Sequence, residues 1–267
     1  MKQQDVYTRV TDTLLAALEQ GTRPWMQPWN AAHAAGPVSR PLRHNGKPYS
    51  GINTLMLWVT AMEKGYVAPI WMTYKQAQEL GAQVRKGERG SLVVYANTLK
   101  KTETDEATGE DMEVEIPYMK GYTVFNVEQI DGLPAHYTAQ AHPPVLSEAE
   151  RLTRLDAFFA ATGADIRHGG NQAFYAIGSD TIQMPPFEMF HDREGYYATL
   201  AHESTHWTRH PSRLNRDMGR KKWGDAGYAM EELVAEIGSA FLCAELGLTP
   251  DVREDHAAYL QSWLKVL

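Results

Sequence analysis

Val6, Val10, Leu14 and Leu18 recur at helical spacing and the run stops at Gly21, which predicts an amphipathic helix at the start of the chain. "INTLMLWVTAMEKG" repeats that periodicity and predicts a second helix, with Trp58 on its apolar face and therefore in a core. "APIWM" has the compact apolar character of a short strand. "TYKQAQELG" predicts a helix, and "GSLVVYANTL" a strand entered through the turn "RKGERG". "PYMKGYTVFNVEQI" returns to strand character and would close the sheet of an α+β domain. The acidic stretch between these strands, "TETDEATGEDMEVE", is strand-poor and predicts a solvated hairpin tip or mobile insertion.

The second half of the chain predicts longer helices. "SEAERLTRLDAFFAATG" opens with Ser147 and, three residues on, Glu150, the arrangement of a capping box. "QAFYAI" and "TIQMP" predict two short strands separated by the turn "GSD". A helix begins near Arg193, and another runs through "AMEELVAEIGSAFLCAELG" to a stop at Gly247. "PDVREDHAAYLQSWLKVL" begins a further amphipathic helix that ends without a cap, so the natural chain is expected to be longer or to have been trimmed here. "TRPWMQPWNAAHAAGPVSRPLRHNGKPYSG" reads as an irregular, ordered loop, and "DGLPAHYTAQAHPPVLS" as a linker. The expectation is an α+β protein of two domains: an α+β domain over 1–131, a linker over 132–146, and a mostly helical domain with a small β-hairpin or sheet over 147–267.

Composition narrows the class without changing this layout. With 43% hydrophobic and 22% charged residues, the 267-residue chain has the make-up of an ordinary folded protein. It has no apolar run of membrane-spanning length, and its first residues lack both a secretory core and transit-peptide character, so a cytoplasmic protein without a membrane partner is expected. The single cysteine, Cys243, excludes an internal disulfide framework, and its apolar neighbours predict a small core residue. Net charge of −7 argues against a nucleic-acid partner until it is divided by segment. Residues 1–101 carry 13 basic against 6 acidic side chains, residues 102–131 carry 1 against 9, and residues 132–267 carry 12 against 18. The front hundred residues can therefore present a positive surface on an acidic molecule.

Candidate chemistry lies in "LAHESTHWTRH". His202 and His206 are four apart, which on a helix puts both imidazoles on one face within reach of one ion, and Glu203 is placed as the catalytic base toward a water at that ion. Tetrahedral zinc, or another divalent transition metal, needs a third protein ligand and an open corner. Glu231, Glu232 and Glu236 on the next helix are candidates. Glu232 and Glu236 share a face, with small residues Ala235, Gly238 and Ser239 nearby to allow close helix approach. The pair resembles the ExxxD element of thermolysin-like zincins. We expect Glu232 as ligand and Glu236 as support to a histidine, with the reverse assignment open. His210 is a weaker ligand candidate. Arg209 and Ser212 stand where the longer metzincin pattern needs glycine and histidine, which excludes that subclass. Tyr228, Tyr196 and His191 are the nearby residues that could stabilise an oxyanion, and the "TIQMPPF" strand could pair with an extended peptide substrate.

The basic front half carries Trp25, Trp29, Trp58, Trp71 and five tyrosines among Arg23, Arg40, Arg43, Lys47, Arg85, Lys86 and Arg89. Single-stranded nucleic acid needs both kinds of group, cations for phosphates and flat rings for bases. Candidate contact residues are Trp25, Trp29, Arg40, Arg43, Asn45, Tyr49, Asn53, Trp71, Tyr74, Lys86 and Arg89, although Trp25 and Trp29 could equally anchor a packed loop.

"DVYTRVTDTLLAALEQGTRPWMQPWN", "RPLRHNGKPYSGINTLML", "TYKQAQELGAQVRKGERGSLVVYA" and "VFNVEQIDGLP" together resemble the N-terminal domain of ArdC-type antirestriction proteins, itself similar to the N-terminal part of TraC-type plasmid primases. "HESTHWTRHPSRLNR" and "EELVAEIGSAFL" resemble the zincin-like metallopeptidase domain that follows in that family. The resemblance implies a single-stranded-DNA-binding domain, a metallopeptidase-like domain holding its metal through His202, His206 and a glutamate of "EELVAE", and protection of incoming conjugative plasmid DNA from restriction. A host restriction enzyme or another protein would be the further partner. Family members generally continue beyond "SWLKVL". Two other readings stay open: a metallopeptidase whose front domain recognises protein, and a DNA-coating protein whose metal is structural.

Overall fold

The computed structural model describes residues 5–20, 40–104, 111–138, 147–219 and 225–248. Trp25, Trp29, the tip of the acidic stretch, residues 139–146 and the expected last helix lie outside them. The chain divides into two compact units, Met1–Ala16 with Pro41–Gln140, and Ala17–Arg40 with Ala141–Leu267. Among the described residues no helix is long and apolar enough to cross a membrane.

The first unit begins with α1 (Val6–Glu19), whose last turn belongs to the second. Its main sheet has the order β1-β2-β5-β4, with β1 (Leu42–Arg43) parallel to β2 (Ile70–Met72), and β2, β5 (Asp111–Asn126) and β4 (Ser91–Thr104) successively antiparallel. Because strand side chains alternate, adjacent residues of β2 feed two separate cores. Trp71 packs with Tyr49, Leu57, Val93 and Val124, against the helix α2 (Ile52–Lys64). Met72 packs with Ala77 of α3 (Tyr74–Glu79), Val84 of β3 (Gln83–Val84), Val127, and Ile130 of β6 (Ile130–Asp131).

Polar side chains lock the frame. The Asn53 amide donates to the Val94 carbonyl at 2.8 Å and accepts from its N–H at 2.6 Å, so the start of α2 satisfies both backbone groups of one β4 residue. Buried Gln129 accepts from the Asn126 N–H and donates to Glu88 and to the Arg89 carbonyl, which fixes the "RKGERG" turn against the end of β5.

Two expectations for this unit need correction. The acidic stretch is largely strand: β4 and β5 stay paired from Ser91↔Val124 out to Thr104↔Asp111, with Lys100 reaching Glu113 across the ribbon at 3.1 Å. Glu113 and Glu115 are exposed on this ribbon, where composition alone does not reveal strand character. The expected linker starts as packed structure. In α4 (Ala135–Thr138), Tyr137 is buried in the second core and donates its hydroxyl to the His44 carbonyl at 3.2 Å.

In the second unit, α5 (Glu148–Ala161) starts on the Ser147/Glu150 capping box. A three-stranded sheet follows in the order β7-β9-β8, with β7 (Asp165–His168) parallel and β8 (Phe174–Ala176) antiparallel to β9 (Thr181–Met184). β7 was not expected, since "DIRH" offers one apolar residue to reveal it. It also overturns the expectation that the "TIQMPPF" strand could receive a peptide: β9 is central, with both edges already hydrogen-bonded. Ile182 and Met184 of β9 are fully buried beneath α6 (Arg193–Trp207) with Tyr196, Tyr197, Leu200 and Ala201. Tyr197 joins α6 to α5 by donating to Asp156 at 2.6 Å and by stacking on Phe159. Asp192 caps α6, Asp225 caps α7 (Ala226–Leu246), and Gly247 closes α7 at φ 71°, a conformation that glycine adopts without penalty. Cys243 is fully buried, and burial pushes its thiol up to about 12, in keeping with an inert core residue.

Candidate metal centre

From Tyr196 to His206 every residue of α6 is buried, although five in succession, His202, Glu203, Ser204, Thr205 and His206, are polar. Burying such groups costs free energy unless partners compensate, so a helix of this kind needs an explanation beyond packing. α7 supplies it. Ala201 and Ala235 are fully buried, Ser239 donates to the Ala198 carbonyl at 3.2 Å, and Gly238 lies so close to Thr205 that a methyl there would meet its Cγ2 at 2.5 Å. The small residues let the two helices approach until Glu232 reaches the histidines.

The result is a triangle. His202 Nε2 and His206 Nε2 are 3.2 Å apart, and the Glu232 carboxylate lies 3.5 Å from each, through Oε2 and Oε1 respectively. All three donors fall within 4.8 Å of one another. Tetrahedral ligands bonded at about 2.0–2.1 Å stand about 3.3 Å apart, so two imidazoles and a carboxylate at these separations fit a divalent transition ion. Glu203, 3% exposed, follows His202 directly on the helix.

The outer ring nitrogens are held as well. His202 Nδ1 lies 3.4 Å from Glu236 Oε1, and His206 Nδ1 lies 3.2 Å from Glu231 Oε1. A carboxylate on the outer nitrogen fixes the ring's tautomer and orientation and increases its basicity. Glu231 is itself gripped by Arg216, whose Nε and terminal nitrogen donate to its two oxygens at 2.9 and 2.7 Å and which also reaches Thr208 Oγ1 and the Thr205 carbonyl. Burial opposes charge on His206, but Glu231 and Glu232 overcome it and raise its pKa to about 9. Burial alone would likewise raise the Glu231 and Glu232 carboxyls, yet Arg216 and the imidazoles hold both below the usual range. The pocket is thus organised around negative charge that a proton or a cation must offset.

Sequence reasoning assigned Arg216 no role and treated Glu231 only as a possible ligand. Arg216 sits in irregular chain after α6, where no periodicity reveals its direction. That chain is anchored by Arg213, which pairs with Asp180, lies 3.7 Å over the Trp207 ring and donates to the Trp207 carbonyl. His210 turns away from the triangle to Ser212, 2.7 Å from its Nδ1. Tyr196 places its hydroxyl 2.8 Å from His168 of β7, and His191 is exposed ahead of α6.

The front-unit residues expected to meet DNA separate into three groups. Trp71 and Tyr49 are core, 1% and 7% exposed, and Trp71 makes an edge contact with Tyr66, so their rings are unavailable for stacking. Asn53 is committed to Val94, and Arg40 belongs to the second unit, paired with Glu245 at 3.0 Å. Arg43, Asn45, Tyr74, Lys86 and Arg89 are exposed. Sequence composition could not separate these groups, because tryptophans beside basic residues serve a core as readily as a surface.

Residues 4–125 match the N-terminal domain of anti-restriction factor ArdC, and residues 153–267 match the zincin-like metallopeptidase family. Protein y4eC of Sinorhizobium fredii (strain NBRC 101917 / NGR234) is 45% identical over 98% of this chain and 84% of its own length. A DNA primase TraC of Escherichia coli is 41% identical over 98% of this chain, which spans 25% of that primase. Crystal structures of the antirestriction protein ArdC from plasmid R388 are similar throughout. The metal-free form has a TM-score of 0.79 at 52% identity, and the Mn(II)-bound form 0.78 at 50%, each covering 98% of this chain and 88% of the other. With both of its domains matched in order and solved relatives alike over nearly their full length, the chain belongs to the ArdC family of antirestriction proteins.

Proposed function

We propose that this protein protects incoming plasmid DNA from restriction in the cytoplasm, holding single-stranded DNA with its first unit and a divalent ion with its second. The observation that carries the reading is the convergence of His202, His206 and Glu232, backed by Glu236 and Glu231, beside a buried glutamate. His202, His206 and Glu232 would hold the ion, zinc or another divalent transition metal; the Mn(II)-bound relative supports a divalent species. Bound there, the ion would supply Lewis acidity toward an amide carbonyl and toward water. Glu203 would accept a proton on its carboxylate and return it to the leaving nitrogen. Glu236 and Glu231 would keep both rings turned with Nε2 inward, and Arg216 would keep Glu231 ionised and in place. The similarity of the front unit to ArdC and to TraC supports single-stranded DNA as its ligand, with Arg43, Asn45, Tyr74, Lys86, Arg89, Trp25 and Trp29 as candidate contacts.

The decisive experiment is Glu203→Gln, assayed for metal content and for survival of a conjugated plasmid in a restricting host. Full metal content with lost protection supports proton transfer at Glu203. Full metal content with full protection would mean that the ion is a scaffold.

A further inference from the structure

Resting on the reading that the first unit binds single-stranded DNA, we infer that bases stack on one face of the β4–β5 ribbon, on Tyr95, Tyr118 and Tyr122, with Lys120 beside them for the phosphates. Strand alternation sorts the ribbon into two unlike faces. Ser91, Val93, Tyr95, Asn97 and Leu99 share one face with Val124, Tyr122, Lys120, Tyr118 and Ile116, which stand opposite them in register. At the sheet end of that face Val93 and Val124 are core. Farther out it carries three tyrosines, two apolar residues, an asparagine and a lysine, and from 91 to 99 and 116 to 124 there is no acid. Glu113 and Glu115 belong to the other face, where Lys100 takes up Glu113. Glu113 and Glu115 thus stand on the face opposite the tyrosines, and the stretch that carries the tyrosines holds no acid.

The aromatic face is open. Tyr95 is 46% and Tyr122 42% exposed, as are Leu99 and Ile116 beyond them. The Tyr95 ring lies 6.2 Å from that of Tyr118 and 6.4 Å from that of Tyr122, so the three rings make a row with Tyr95 in the middle. Their planes are inclined at 58° and 80°, so no ring is consumed by parallel stacking on its neighbour. The Lys120 ammonium stands 5.7 Å from the centre of the Tyr122 ring. A row of rings, Tyr95 and Tyr122 exposed and Tyr118 half-buried, with a cation and no acid beside it matches a single strand, whose unpaired bases need flat surfaces and whose phosphates need positive charge. A duplex, with its bases already stacked, offers the rings much less.

The test is fluorescence anisotropy of a labelled oligothymidine with the full chain, at several salt concentrations. Tyr95→Ala should weaken binding by about 5-fold or more, and the Tyr95/Tyr118/Tyr122→Ala variant by about 50-fold or more, while the matching Phe variants stay within about 3-fold of wild type. Lys120→Ala should lower the salt slope by about one phosphate, and Lys100→Ala, an equal charge loss on the opposite face, should lower it less. Should the triple variant not fold, the single variants and the two lysine changes still decide. Wild-type binding that the Tyr95→Ala, triple and Lys120→Ala variants all retain would overturn the ribbon site and leave the DNA-binding reading standing; absence of binding by wild type would overturn both.

Discussion

Gly238→Ala probes how the metal triangle depends on helix packing. A methyl at Gly238 would lie 2.5 Å from Thr205 Cγ2, 2.8 Å from its Oγ1 and 3.2 Å from its Cβ, where ordinary carbon contacts are about 3.5–4.0 Å. Rotating Thr205 gives little relief, because its hydroxyl is tied to the Ala201 carbonyl at 2.9 Å and its Cβ stays close in any rotamer. The helices must then part locally by about 1 Å. Overpacking of this kind costs about 2–3 kcal/mol, and alanine's better helix propensity returns about 1 kcal/mol, for a net loss of about 1–2 kcal/mol. The same displacement carries Glu232 away from the histidines, and Mn(II) affinity should fall about 10-fold or more. Thr205→Ala removes the two worst contacts and leaves only the one at 3.2 Å. The Thr205→Ala/Gly238→Ala double variant should therefore recover most of both losses, a coupling of about 1–2 kcal/mol between the sites. Urea unfolding in the presence of a chelator gives the stability, and titration calorimetry gives the affinity. Wild-type stability and affinity in Gly238→Ala, or strictly additive losses in the double variant, would show that the packing argument is wrong.

Arg216→Met leaves the buried Glu231 carboxylate without its main partner and should cost about 3–5 kcal/mol in urea unfolding, whereas Arg216→Met with Glu231→Gln should recover much of it. Arg213 holds the Asp180 carboxyl down to about 2, so this pairing is complete above the ordinary carboxylate range near pH 4 and is lost as pH falls toward 2. Asp180 sits at φ 53°, which asparagine also tolerates, so Asp180→Asn should melt earlier than wild type at pH 7, and the gap should close as pH approaches 2; a gap independent of pH would point to backbone effects instead. Asn53→Leu strips Val94 of both its partners and should lose about 1–3 kcal/mol by thermal melting, while a neutral result would mean that water serves β4 equally well.

Much of the second unit was legible because its signals are local. Ser147 with Glu150, the turn before β9, the histidines four apart and Gly247 each report on a few neighbouring residues, and helix geometry carries the inference from there. Ala235, Gly238 and Ser239 were readable as a close-approach face because small residues leave room only if something fills it. What stayed hidden depends on chain returning from elsewhere. Arg216 reaches Glu231 from an irregular segment, and β7 takes its place beside β9 with one apolar residue to announce it. The same limit misled the front-unit reading. Trp71 and Tyr49 carry the composition of a binding surface but face a core built by distant strands, while the exposed tyrosines lie on a ribbon whose extent is set by cross-strand pairing.

The central claim is that His202, His206 and Glu232 grip one divalent ion while Glu203 does not. Its most direct test is the stoichiometry and affinity of Mn(II) or Zn(II) for wild type, His202→Ala, Glu232→Ala and Glu203→Gln, measured on chelator-stripped protein whose folding has been checked. One equivalent should bind to wild type and to Glu203→Gln at comparable affinity, and binding should be lost in the other two. Retention of full affinity by Glu232→Ala, or its loss in Glu203→Gln, would contradict the assignment.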